Sequence, residues 1–156
     1  MDLEQHLESK TVRAIYETYV AQRKSGHRPH LGASLIGEAC ERKLWYVFRW
    51  AKEASFPGRV LRLFETGNRE EDRLIADLRS IGCKVWDRDP ETGKQISASA
   101  FGGHFSLSLD GVIEHLPDAP KTPHTFEAKT MNTKKFKALK SKGCKEVTPV
   151  YYAQCI

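Results

Sequence analysis

The hydrophobic period of this chain changes at Gly82 and changes back near Asn132, and that order limits the architectures open to it. Before Gly82, apolar residues recur at helical spacing. The stretch "LEQHLESKTVRAIYETYVAQRK" sets Leu3, Leu7, Ala14, Ile15 and Tyr19 on one stripe, and Gly26 and Pro29 break it. Ser34 stands at an N-cap position for a second helix over "LIGEACERKLWYVFRW", with Leu35, Leu44, Trp45 and Phe48 on its apolar face and Trp45 and Tyr46 expected in the core. "RVLRLFETGNREEDRLIADLRSIG" predicts a longer third helix, with Gly82 as its C-terminal stop. After Gly82 the pattern alternates. "CKVWD", "QISASAF", "HFSLSLDGVIEH" and "HTFEAKTM" read as three or four short strands, with turn residues in "RDPETGK". "NTKKFKALKSKG" returns to helix, with Phe136 and Leu139 expected to face inward. Thr148 as N-cap and Pro149 at the first helical position start a last helix in "TPVYYAQCI".

Helices, a meander of strands, then helices predict an α/β (α+β) fold with a small central mixed sheet flanked by helices. The 156 residues suit one domain, with 1–30 as an N-terminal helix and 31–156 as the core. The helix opened by Pro149 stops early at Ile156, so we expect the core to be incomplete at that end. Hydrophobic residues are 40% and charged residues 29%, as in soluble globular chains. No apolar run approaches the roughly 20 residues that span a bilayer. The acidic, amphipathic "MDLEQHLESK" is not a secretory leader, so a cytoplasmic protein without a membrane partner is expected. Cys40, Cys83, Cys144 and Cys155 form no CxxC pair, which argues against a zinc site of cysteines alone and for free thiols in a reducing compartment. His104, His115 and His124 match no common zinc spacing.

The net charge of +5, from 25 basic and 20 acidic residues, permits a polyanionic partner without demanding one. Six lysines fall in "KKFKALKSKGCK", residues 134–145, where either a solvated helix face or a phosphate-binding face is open.

An acid-x-Lys triplet occurs at 8–10, 41–43 and 127–129. The first two lie in predicted helices, where residues two apart do not share a face. The third, "EAK", lies in a predicted strand, where Glu127 and Lys129 stand side by side. Upstream, Asp110 ends the strand in "LSLDGVIE" and is followed by Gly111. If the two strands are antiparallel neighbours joined by "HLPDAPKTP", Asp110 comes close to Glu127. Two carboxylates together repel unless a cation lies between them, and a divalent ion with hard oxygen ligands fits. Lys129 would stand beside that ion. A third acid is available in "FETGNREEDRL", but the pattern leaves Glu65, Glu70, Glu71 and Asp72 open, and Arg69 and Arg73 offer them partners.

Asp110 followed by "EAK", in strands preceded by helices, resembles the PD-(D/E)xK nuclease superfamily, and more narrowly its lambda-exonuclease, YqaJ and RecB-like branch. "LGASLIGEACERKLWY" is similar to the segment that opens that core. "ETGNREED" is similar to an element in which the acid four residues after a glycine binds metal, which selects Glu71 after Gly67. "VYYAQCI" is similar to a Tyr-x-x-Gln element, matching Tyr151 and Gln154. The resemblance runs from about residue 31 to the end.

The resemblance implies a restriction-endonuclease-like core. Glu71, Asp110, Glu127 and the Ala128 carbonyl would hold one or two Mg²⁺ ions, with Mn²⁺ able to substitute, and Lys129 would orient the attacking water. It also implies digestion of duplex DNA from a 5′ end, in the manner of phage recombination, with Ser34 and Arg28 on the 5′ phosphate. Lys134, Lys135, Lys137 and Gln154 would then lie on the DNA side, with Tyr151 in support. A single-strand annealing protein and a second copy of the chain are the candidate partners. Cys40 matches the first cysteine of the branch's iron–sulfur members, but the three that follow the core there are missing, so no cluster is expected. An endonuclease or resolvase on the same core, and a non-enzymatic nucleic-acid-binding module whose acids are structural, remain the alternatives.

Overall fold

The computed structural model describes residues 9–24, 26, 28–51 and 54–156. The first change of period is a helix end. Helix α3 (Gly58–Ser80) closes at Ile81, and Gly82 takes a φ of +89°, a left-handed conformation that glycine adopts at no steric cost.

Ahead of α3 stand α1 (Lys10–Gln22), the two-residue strand β1 (Leu31–Gly32) and α2 (Glu41–Phe48). The side chain of Ser9 caps α1 by accepting from Val12 N–H. Leu3 and Leu7, expected on this helix, lie outside the described residues. Ser34 does not cap the second helix. It lies within a 3₁₀ turn (Ala33–Leu35), and α2 begins only after Cys40, whose N–H is taken by the Glu38 carboxylate. The expected helix is therefore shorter, and its aromatics are not core residues: Trp45 is 56% and Tyr46 40% exposed. This eight-residue helix leans chiefly on β1, so most of its circumference meets solvent.

After Gly82 come β2 (Lys84–Trp86), β3 (Ser97–Ala100), β4 (Phe105–Ser108), β5 (Gly111–Glu114) and β6 (His124–Phe126). The fold is mixed α and β, as expected, but the strands build two three-stranded sheets rather than one central sheet. In the first, β4 is central, parallel to β1 and antiparallel to β3. In the second, β5 is central and antiparallel to both β2 and β6. Only Leu109 and Asp110 separate β4 from β5, so one stretch of chain changes partners at that point.

The buried core is the contact of α3 with the second sheet: Ile75, Cys83, Val85 and Ile113, with Leu78, Leu116 and Phe126 packed around them. The chain closes with α4 (Thr133–Lys142), α5 (Cys144–Val147) and α6 (Pro149–Gln154). Asn132 caps α4 through Lys135 N–H; Thr148 and Pro149 stand at the N-cap and first-turn positions of α6 as the sequence predicts, but the Thr148 hydroxyl donates to Cys144 O and does not cap the helix. Phe136 does not face inward; it is 55% exposed, because α4 has the short α5 rather than a sheet as its main neighbour. The four cysteines are free thiols, with Cys83 alone buried. Among the described residues no helix is long and apolar enough to cross a membrane.

Candidate active site

The second sheet fixes the site. The β5–β6 ladder ends where Gly111 faces Phe126, so the next residues outward are Asp110 beside one strand and Glu127 beside the other. The strand expected over "HTFEAKTM" covers only His124–Phe126. Beyond it β5 gives way to β4, which turns to the other sheet, and no strand remains to take the Ala128 N–H. Asp110 supplies the missing acceptor: its Oδ2 accepts from Ala128 N at 2.8 Å. Glu127 and Lys129 still meet, and the ammonium Nζ donates to Glu127 Oε1. Their side chains are 16% and 29% exposed, so this pair is more withdrawn from water than a surface ion pair.

Glu71 reaches the same place from α3. Ile75 is 4% exposed and anchors α3 on the sheet, and Glu71 is one turn earlier on the same helix face. Arginines engage two of its rivals, and the third, Asp72, is exposed and does not line the cleft. Arg69 pairs with Glu65 at 3.2 Å, and Arg73 holds Glu70 at 2.7 Å and Asp77 at 3.0 Å. Glu71 is the acid of the cluster left facing Asp110 and Glu127. Burial first, then the charges of Asp110, Asp72 and Glu127, hold its carboxyl above the usual carboxylate range, against the opposing pull of Lys129. A cleft of about 500 Å³ is lined by Glu71, Asp110, Ala128, Lys129 and Tyr151, with Glu70 at the same wall; Glu127 lines a second cleft, of about 260 Å³, with Gln154.

Tyr151 forms the floor for two cations, with Lys129 Nζ 5.7 Å and Lys135 Nζ 4.9 Å from the ring centroid. Gln154 is half-buried. Its Nε2 donates to Glu127 Oε1 at 2.6 Å, and its Oε1 is buried with no partner among the described residues. A carboxylate only accepts, so the amide has one sensible orientation here. Lys134 and Lys137 are exposed on α4, while Lys142 pairs with Glu146 at 2.9 Å. Arg28 and Ser34 are exposed and do not line the cleft. The sequence reading missed Asn68 and Thr130, and the apolar wall of Leu63, Phe64 and Leu74. The helix residues among them were readable: Leu63, Phe64, Asn68 and Leu74 lie at helical intervals from Glu71 on its own face.

Three carboxylates, a backbone carbonyl and mutual repulsion suit a hard divalent cation in kind. They do not form a finished cage. Among the described residues no three His, Cys, Asp or Glu side chains stand close enough together to hold an ion. The reason is local: Glu127 is engaged by Lys129 and Gln154, and Asp110 by Ala128. To ligate an ion, Glu127 would have to release Lys129. Comparison of the chain with protein-family models, with curated proteins and with solved structures returned no match.

Proposed function

We propose that this chain is a metal-dependent deoxyribonuclease that hydrolyses phosphodiester bonds at the cleft between α3 and the β5–β6 edge. One observation carries the reading: Glu71, Asp110 and Lys129, from three separate segments, line one cleft, Glu127 is paired with Lys129, and burial first, then the charges of Asp110, Asp72 and Glu127, raise Glu71. Lys129 opposes this charge on Glu71 without outweighing it, and an acid whose charged form is disfavoured by burial and like charges is a candidate for a functional site.

Glu71, Asp110, Glu127 and the Ala128 carbonyl would hold Mg²⁺ or Mn²⁺. Bound there, the ion would neutralise the scissile phosphate and the leaving oxygen. Lys129 would turn from Glu127 to the attacking water and hold it by hydrogen bond while negative charge develops on phosphate. Lys135, fixed over Tyr151, would bind a neighbouring backbone phosphate. Gln154 would keep one Glu127 oxygen in place when Lys129 leaves it. The resemblance adds the finer reading, an exonuclease entering duplex DNA at a 5′ end in phage-type recombination. Arg28 and Ser34 would contact that end.

The test is end-labelled duplex DNA, with and without Mg²⁺, comparing 5′-phosphate with 5′-hydroxyl ends and linear with covalently closed DNA. Mg²⁺-dependent release of nucleotides from linear DNA, faster from 5′-phosphate, is the expected result. Cleavage of closed circles would replace the exonuclease by an endonuclease or resolvase. No cleavage together with no metal binding would leave a nucleic-acid-binding module.

A further inference from the structure

We infer that Gly37 is a positioning residue for the site: its missing side chain lets α6 seat deeply enough for Gln154 to hold the Glu127 carboxylate. The inference rests on the nuclease reading for its consequence, but not for its geometry. Gly37 belongs to the turn after the 3₁₀ segment Ala33–Leu35, and α6 packs against that segment. A methyl group on Gly37 would come within 2.6 Å of Val150 Cα, 2.8 Å of Ala153 Cβ and 3.0 Å of Pro149 O. Two of those three are backbone atoms, which cannot rotate away. Gly37 is not among the residues with positive φ, so alanine is acceptable in conformation and is refused only by space.

All three contacts lie on one face of a six-residue helix, and Gln154 is the residue after Ala153. Restoring Val150 Cα from 2.6 Å to the 3.4 Å of ordinary contact moves the helix back by about 0.8 Å. Gln154 Nε2 lies 2.6 Å from Glu127 Oε1, and a displacement of that size along the bond would carry the pair to about 3.4 Å, past the usual 2.7–3.2 Å of an N–H···O bond. Thr148 resists a compensating slide, because it is 4% exposed and its Oγ1 is tied to Cys144 O at 3.1 Å. Gln154 also leaves its Oε1 buried without a partner among the described residues, so nothing else there holds the amide in place. The opening segment of the core thus sets the height of the last helix over the cleft.

The experiment is Gly37→Ala in the full chain, read first by NMR of the Gln154 side-chain amide, assigned through its loss in Gln154→Ala. In the parent the amide proton facing Glu127 is shifted downfield and exchanges slowly with water. In Gly37→Ala it moves to the position of a free amide and its exchange accelerates. Metal affinity is the second readout. Loss of a group that orients a ligand weakens metal binding by about 10- to 100-fold. Gly37→Ala should give an effect of that kind in the parent background and none in Gln154→Ala, since both act through one bond. An unchanged Gln154 signal in a folded Gly37→Ala protein, or additive effects of the two substitutions, overturns the inference. If Gly37→Ala does not fold, Ala153→Val decides. Valine in a helix has one strongly preferred rotamer, so it presses on the same contact from the other side; an unchanged signal there also overturns it. If the parent binds no metal, the nuclease reading fails, and the NMR result alone judges Gly37.

Discussion

Asp110 serves two purposes that substitution can separate. Its Oδ2 accepts the Ala128 N–H at 2.8 Å in a partly buried setting, and its charge helps raise Glu71. In Asp110→Asn the side chain keeps an acceptor oxygen. A bond to a charged group is worth about 1.5–3 kcal/mol and a neutral one about 0.5–1.5 kcal/mol, so roughly 1 kcal/mol is lost from the bond. Relief of the repulsion with Glu71 offsets part of that, and the variant should lie within about 1 kcal/mol of the parent. In Asp110→Ala the Ala128 N–H is left without its acceptor, at a cost of about 1–3 kcal/mol. For a chain of this size each kcal/mol moves the melting temperature by about 2–4 °C. Urea and thermal unfolding of the three proteins should rank parent and Asp110→Asn close together and Asp110→Ala clearly lower. Metal titration should instead group the two variants, both weak. Asp110→Ala as stable as Asp110→Asn would refute the structural half of this reasoning; metal affinity retained in Asp110→Asn would refute the other half.

Lys129→Met removes the cation that now holds Glu127, so Mg²⁺ or Mn²⁺ should bind at least as tightly as in the parent while single-turnover cleavage collapses; calorimetry beside rapid-quench kinetics checks both. Lys135→Gln and Lys137→Gln should each lower the log–log salt slope of duplex DNA binding by about 0.9 if each lysine meets a phosphate, measured by fluorescence anisotropy across salt concentrations. Lys142→Gln, whose lysine is engaged by Glu146, should change it least. Burial opposes the charge on Asp87, but the hydrogen bond from Arg79 and the charges of Arg79 and Arg88 outweigh it and hold that carboxyl below its usual range. A depressed pKa stabilises the fold above the unfolded value of about 3.9 and stops doing so as pH falls through the folded value. Arg79 and Asp87 are 48% and 35% exposed, so Asp87→Asn should cost at most about 1 kcal/mol near neutral pH, and the difference should close below pH of about 4 in urea unfolding curves.

Helix ends and strands were legible where a local signal decides them. Gly82, Pro149 in the first turn of α6, and the alternating stretches after residue 82 sit where their chemistry puts them. Expectations failed where distant residues decide. Ser34 has the chemistry of a cap, yet the approach of α6 and the claim of Glu38 on Cys40 N–H move the helix start past it. Trp45, Tyr46 and Phe136 look like core residues from period alone, but exposure depends on whether a neighbour covers the helix. The division into two sheets was not readable, because alternation says which face a side chain takes and not which strand pairs with which. At the site, the Glu127–Lys129 pair and its nearness to Asp110 followed from the strand pattern. The choice of Glu71 needed either a family resemblance or the structure, in which Arg69 and Arg73 engage Glu65 and Glu70. That Asp110 also completes the backbone hydrogen bonding of Ala128 had no sequence signal, since it depends on where β5 stops.

The most direct measurement is a calorimetric titration of Mn²⁺ into the parent and into Glu71→Gln, at a pH where the Glu71 carboxyl is ionised. We expect saturable binding in the parent and at least about tenfold weaker binding in the variant, a loss of about 1.4 kcal/mol. No binding in the parent, or equal affinity in the two proteins, would contradict a metal site built from Glu71, Asp110 and Glu127.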